Sequence, residues 1–275
     1  MDLGRTGTEV IPALYKGLLD DAAVFPPGLM PLADAVPAHA RHLSAPYADI
    51  VGPLVLAAPA LADLGDADVE LSVTLPAGPD QLADVLKQAG KRLQALEIAV
   101  PQGMSADEFF GALPSLDVPV FVEVPRDERR PAIIARCAET GHQAKFRTGG
   151  VKAELYPDET ELAAAVRAAI DAGVPFKATA GLHHAIRNTD PSTGFEQHGY
   201  LNLLLATAAA IDGADETRLA AVLAERDGKA VATQVSTVDP KVRERFRSFG
   251  TCSIIEPLTE LVALGLLPEL EGVTA

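Results

Sequence analysis

Two lysines occupy matching places in two short apolar segments, Gln143-Ala144-Lys145-Phe146-Arg147-Thr148-Gly149-Gly150 and Pro175-Phe176-Lys177-Ala178-Thr179-Ala180-Gly181. An amine attacks a carbonyl carbon only when deprotonated, and burial or a neighbouring cation favours that neutral form. Successive strand side chains point to opposite faces, so Lys145 and Arg147 share one face of the first segment and Lys177 and Thr179 share one face of the second. Between them runs a helical pattern from Asp158 to Gly173. A strand, a helix and a strand in that order make a parallel, adjacent pair, so both lysines should face one space. The guanidinium fork of Arg147 suits a carboxylate or phosphate on a substrate. A purely structural arrangement accounts for the same residues: the lysines neutralise Glu97 and Glu123 inside the fold, and Arg147 pairs with Glu123.

Histidines supply a second candidate chemistry. His183 and His184 lie in the loop after the second segment, and His198 precedes a strongly apolar helix, with Arg187 between them. General acid or base service and substrate hydrogen bonding suit these groups. The alternative is a divalent-metal site built from His183 or His184, His198 and a carboxylate, although no zinc-motif spacing is present and neither a metal nor a cofactor is expected. Gly149 and Gly150 either offer backbone N–H groups to an anion or make a tight turn. Asp20 and Asp21 are expected just before the first strand, as helix-capping residues.

The elements that must position these groups alternate along the chain. Strands are expected at Ala22 to Phe25, Ile50 to Leu56, Val69 to Leu75, Leu96 to Val100, Val118 to Val124, Gln143 to Thr148, Pro175 to Gly181 and Ser248 to Ile255. Helices are expected at residues 8 to 19, Leu32 to Leu43, Asp80 to Leu93, Ala106 to Leu113, Glu128 to Thr140 and, after the seventh strand, Gly199 to Ile211, Glu216 to Glu225 and Pro257 to Leu267. The strands are continuous apolar runs, the pattern of strands covered by helices on both faces. Eight such units in 275 residues predict a single-domain α/β fold over residues 1–275, an eight-stranded parallel β/α (TIM) barrel. A long loop at about 182–197 and extra helices before the last strand interrupt the alternation, and the loop is expected to act as a mobile cover over the mouth.

Within this frame the sequence resembles the deoxyribose-phosphate aldolases, lysine-dependent enzymes on an eight-stranded β/α barrel. Their sixth strand has the form Phe-Ile-Lys-Thr-Ser-Thr-Gly and their seventh the form Phe-Lys-Pro-Ala-Gly-Gly, to which the two lysine segments are similar in order and spacing. Gly250-Thr251-Cys252-Ser253-Ile254-Ile255 resembles the family's last strand, and Glu97-Ile98-Ala99-Val100-Pro101 its fourth, with a longer carboxylate. The resemblance implies that Lys145 forms an imine with a carbonyl substrate, that Lys177 lowers its pKa by proximity and that Glu97 shuttles protons. It also implies that Gly149, Gly181 and Ser253 match phosphate-binding positions. Phe146-Arg147 stands where the family has two small hydroxyl residues, and Ala180 where it has a glycine.

Composition narrows the partners. With 38 Asp plus Glu against 23 Lys plus Arg, the net charge of −15 repels polyanions, so no nucleic-acid partner is expected. No apolar run is long enough to span a bilayer and the first residues lack a signal-peptide pattern, so a cytoplasmic location without membrane contact is expected. Cys137 and Cys252 are expected to be reduced thiols. The leading expectation is a carbon–carbon lyase acting through a lysine imine on a small carbonyl compound. Lys145, Lys177 and Glu97 would be catalytic, and Arg147, Glu123, Gly149, Thr179, Gly181, His183, His184, Arg187, His198 and Ser253 would bind substrate. A metal-assisted hydrolase or lyase using the three histidines, and a non-catalytic barrel binding a small anion through Arg147, Lys177 and Arg187, are the alternatives. The sequence leaves a homo-oligomer open.

Overall fold

The computed structural model describes residues 11–270 and Val273. In chain order its strands are β1 (Leu19–Asp21), β2 (Val51–Ala57), β3 (Leu71–Leu75), β4 (Leu93–Ala99), β5 (Val120–Glu123), β6 (Gln143–Arg147), β7 (Phe176–Thr179), a hairpin pair β8 (Asn188–Thr189) and β9 (Glu196–Gln197), and β10 (Phe246–Thr251). All but the hairpin pair join in a closed, wholly parallel barrel in the order β1-β10-β7-β6-β5-β4-β3-β2. Helices α1 (Leu32–Leu43), α2 (Leu61–Leu64), α3 (Leu82–Ala89), α4 (Ala106–Gly111), α5 (Arg130–Thr140) and α6 (Glu159–Asp171) follow the first six strands. Three more, α7 (Tyr200–Ile211), α8 (Glu216–Leu223) and α9 (Gly228–Val235), lie between the hairpin and β10, and α10 (Ile255–Ala263) follows it. The expected eight-stranded parallel α/β barrel is the observed fold.

Local chemistry explains the element ends. Ser105 opens α4 with a capping box: its hydroxyl accepts from the Glu108 N–H, and the Glu108 carboxylate accepts from the Ser105 N–H. Asp158, Asp215 and Asp227 cap α6, α8 and α9 by simple N-caps, their carboxylates accepting from first-turn amides that the helix leaves free. Alternation along the barrel strands then sorts the residues. In β7, Phe176 and Ala178 face the helical layer while Lys177 and Thr179 face inward; in β10, Phe249 turns outward and stacks on Tyr200 of α7 with ring centroids 4.8 Å apart.

Among the departures from the expected boundaries, three concern the barrel's first and last strands and the segment before them. The first strand is Leu19–Asp21, whereas residues 22–25 turn out of the sheet; Asp20 and Asp21 are therefore strand residues rather than helix caps. Two acids are tolerated in so buried a strand because each meets a basic side chain, Lys177 for Asp20 and His39 for Asp21. Of the helix expected over residues 8–19, residues 8–10 lie outside the described residues, and residues 11–18 form turns. The last strand ends at Thr251, and Ile255, read as its end, instead opens α10.

The segment expected to be a long loop at 182–197 contains the β8–β9 hairpin and is fastened at its base. The Asn202 carboxamide oxygen accepts from the Arg187 N–H at 2.9 Å, and its NH2 donates to the carbonyls of Val222 and Glu225 at 2.9 and 2.8 Å. These bonds satisfy a fully buried amide and tie the hairpin to α7 and α8.

Phe249 has no exposed surface and joins the barrel wall to its helical cover. Phe249→Ala is expected to remove about 3–5 kcal/mol of stability. Urea titration checks this as a lower midpoint with an unchanged slope.

Candidate active site

Six charged side chains form an alternating chain across the barrel interior. Arg147 Nε donates to Glu123 Oε1 at 2.9 Å; Lys145 Nζ lies 3.1 Å from Glu123 and 2.8 Å from Glu97; Lys177 Nζ lies 2.5 Å from both Glu97 and Asp20. Hydroxyls extend it at two points: Ser72 donates to Glu97 at 2.7 Å and Ser248 donates to Asp20 at 2.7 Å. Three cations and three carboxylates balance. Strand register sets the geometry, because Lys145 pairs with Lys177 and Glu123 with Lys145 at the same levels of the sheet. Gly52 of β2 makes room for the Asp20 carboxylate, with which a Cβ there would collide.

Electrostatics follow from this order. Burial alone would raise the Glu97 carboxyl, but the two ammonium groups that bracket it outweigh burial and hold it well below the usual carboxylate range. Burial works against the charge on Lys177 and Lys145, yet their carboxylate partners prevail and raise both amines above the ordinary lysine value. Asp20 stands at the end of the chain with Lys177 as its ion-pair partner, and there burial wins: its carboxyl is pushed up despite Lys177 and Ser248.

Glu97 and Lys177 of this charged chain form the floor of a cavity at the C-terminal mouth of the barrel, where β/α barrels carry their active sites. This inner cavity, of about 60 Å³, is lined by Lys177, Glu97, Thr74 and Thr179, with His183 and Cys252 at its outer edge. Beyond it opens a funnel of about 570 Å³ walled by Arg147, Tyr156, Asp190, Phe195 and Glu256. Pro26, Ala180, His183 and Cys252 border both spaces and make the neck. Ala180 has φ +62°, an uncommon conformation for a residue with a Cβ and a mark of strain at the neck.

The expected site residues divide accordingly. Lys177, Glu97, Thr179 and His183 meet at the inner cavity, Arg147 and Gly181 reach the funnel, and Lys145 and Glu123 lie against the floor. Gly149 packs against Gly181 and the Tyr156 ring so closely that a Cβ would approach Tyr156 to 2.6 Å; its role in the structure is close packing. Ser253 lies just ahead of α10 and accepts from the Glu256 N–H at 3.2 Å.

The three histidines do not converge. His183 faces Cys252, with Nδ1 and Sγ 3.5 Å apart, His184 meets Glu260 at 2.6 Å, and His198 donates from Nε2 to the Pro157 carbonyl at 2.8 Å. His198 is fully buried, and burial lowers its pKa to about 4, so it is a neutral structural group near neutrality. Arg187 is likewise buried away from the mouth, 2.6 Å from Glu159 and 3.3 Å from Glu196. The metal site expected from His183 or His184 with His198, and the anion site expected from Arg147, Lys177 and Arg187, are therefore not assembled by the fold.

Residues outside the expected set also reach the site: Asp20, Ser72, Thr74, Ser248 and Cys252. The signal for Asp20 was an acidic pair inside the apolar run Leu18-Leu19-Asp20-Asp21-Ala22-Ala23, which a strand reading would have flagged as buried charge.

Among the described residues, Glu97 is the one carboxylate shared by Lys145 and Lys177. Glu97→Gln is expected to cost about 3–5 kcal/mol because it leaves two buried ammonium groups short of a counter-charge. The sign of the pH dependence follows from the depressed Glu97 pKa: its stabilisation is complete above the unfolded value of about 4.3 and is lost as pH falls. The raised lysines act oppositely, contributing fully below about pH 10.4 and losing effect as pH rises beyond it. Urea unfolding across acid pH should show the wild type losing stability below about pH 4–5 and Glu97→Gln losing less.

No protein-family model matches this chain, and no curated protein matches its sequence.

Proposed function

We propose that the protein is an enzyme acting on a small carbonyl compound, a carbon–carbon lyase of the aldolase kind that works through an imine on Lys177. One observation carries the reading: the Lys177 amine borders the inner cavity and lies 2.5 Å from the carboxylate of Asp20, whose proton affinity burial raises. Asp20 and Glu97 hold the Lys177 ammonium charged at rest, so the reaction requires the proton to pass from Nζ to the Asp20 oxygen, which turns a buried ion pair into a neutral amine beside a neutral acid. In a desolvated site the neutral pair competes with the charged one. The groups facing Lys177 are Asp20 and Glu97, with Ser248 and Ser72 behind them, Lys145 across Glu97, and the Phe121 ring, its centroid 5.3 Å from Nζ.

The neutral amine adds to the carbonyl carbon, a C–N bond forms, and the oxygen departs as water once protonated, leaving a cationic imine. Glu97 stays ionised between the two lysines and offsets that charge. Asp20, once it has given its proton to the departing water, takes the proton of the hydroxyl one carbon beyond. That carbon becomes the carbonyl of the first product as its bond to the neighbouring carbon breaks, and the bonding pair moves into an enamine on Lys177. Protonation of the enamine followed by addition of water releases the second product and restores the amine. Thr74 and Thr179 provide hydroxyls on the same cavity wall, and Arg147 in the funnel provides further N–H donors for an anionic end of the substrate. The resemblance to deoxyribose-phosphate aldolases gives the imine to Lys145; both amines are buried and each lies between two carboxylates, but Lys177 is the one that lines the inner cavity.

Borohydride reduction in the presence of a panel of small aldehydes and ketones tests the reading. An irreversible mass gain is expected, mapping by peptide mass spectrometry to Lys177, absent from Lys177→Arg and present in Lys145→Arg. An adduct on Lys145 would return the nucleophile's role to that residue, and the absence of any carbonyl-dependent mass gain in the wild type would defeat the imine reading.

A further inference from the structure

His183, Cys252 and Glu256 have no part in the amine chemistry, yet two distant segments, the loop after β7 and the β10–α10 connection, bring them together beside the neck. His183 follows β7, Cys252 directly follows β10, and Glu256 lies in the first turn of α10. One ligand atom from each lies within 4.8 Å of the others. We propose that they form a zinc-type metal site whose open coordination position faces the cavities and takes an oxygen donor of the bound molecule. The site is independent of the imine, because it concerns metal binding by the free protein.

Geometry supports the assignment. Zinc bonds of about 2.3 Å to sulfur and 2.0 Å to nitrogen at a tetrahedral angle put the two ligand atoms roughly 3.5 Å apart. The observed separation of His183 Nδ1 and Cys252 Sγ is 3.5 Å. The Glu256 side chain is exposed, so its carboxylate can close the remaining distance by rotamer change without repacking the core. Backbone contacts hold the turn that carries the other donor: Thr251 Oγ1 donates to the Ser253 carbonyl at 2.8 Å, and Gly28 packs where a Cβ would lie 3.1 Å from that of Cys252.

Ligand chemistry selects the ion. A thiolate, an imidazole and a carboxylate suit zinc, whereas magnesium and calcium favour oxygen donors throughout. Three protein ligands with one remaining position is the arrangement of catalytic rather than structural zinc sites. His183 and Cys252 border both the inner cavity and the funnel, and Glu256 borders the funnel, so the remaining position falls where a ligand would pass or rest. Such a cation would polarise a carbonyl or hold a hydroxyl or carboxylate oxygen of the ligand.

Cobalt(II) titration of the chelator-treated full-length protein provides the test, since cobalt reports its ligands by absorption. The expected result is one ion per chain, visible bands of tetrahedral cobalt, an ultraviolet thiolate-to-cobalt band, and displacement of all of these by zinc. Cys252→Ser should lose the thiolate band although it retains Cys137. His183→Ala and Glu256→Gln should weaken binding by at least about tenfold, with circular dichroism confirming that each variant is folded. The exposed Glu256 side chain makes its variant the one least exposed to folding loss. A wild type without the thiolate band, a band that survives Cys252→Ser, or binding indifferent to Glu256→Gln would overturn the assignment. Borohydride trapping on Lys177 is read without added metal, so failure of either idea is visible separately.

Discussion

Two buried ammonium groups sharing one carboxylate are the constraint on which this barrel depends. Desolvating a charge costs several kcal/mol, and each ion of the Arg147–Glu123–Lys145–Glu97–Lys177–Asp20 chain is tolerated only because its neighbours are in place. The requirement spreads through the barrel: glycine at position 52 beside the Asp20 carboxylate, serines at 72 and 248 to occupy spare acceptor positions, and parallel register that levels Lys145 with Lys177. An apolar interior of similar volume would hold the barrel together as well or better, so stability alone does not explain six charges there. Their alternation instead fixes where each proton is bound, and leaves the weakest hold at Asp20, the end of the chain that adjoins Lys177.

The mouth above this floor is made by the segment after β1 and by loops after the later strands, and its walls are less uniform. Strain at Ala180 and close packing of Gly149 against Gly181 bring the ends of β6 and β7 together. The hairpin segment is secured at its base by Asn202 and by the Arg187–Glu159 pair, while its tip is organised by Asp190, which accepts from the Ser192 and Thr193 amides at 2.8 Å each. Base and tip therefore differ in kind: the base is buried and cross-linked to helices, the tip is a solvent-facing turn held by its own side chains. The funnel wall is consequently a built surface.

Much of this was legible in the residues. The repeated alternation of apolar runs and helical patterns determined an eight-stranded parallel barrel, because strands covered on both faces must be apolar throughout and a parallel connection requires a crossover. Period-2 alternation was enough to place Lys145, Lys177, Glu97 and Glu123 inside, and both the ion-pair network and the Arg147–Glu123 contact were among the expected arrangements. Tertiary structure decided the rest. Asp20 reads as a cap until a lysine more than a hundred residues away is seen to neutralise it, and no local pattern carries that information. His183, His184 and His198 are close in sequence, yet separate loops and helices give them Cys252, Glu260 and the Pro157 carbonyl as partners. Which lysine borders the cavity depends on how loops from four strands close over the mouth, a matter of packing between distant segments rather than of residue type or spacing.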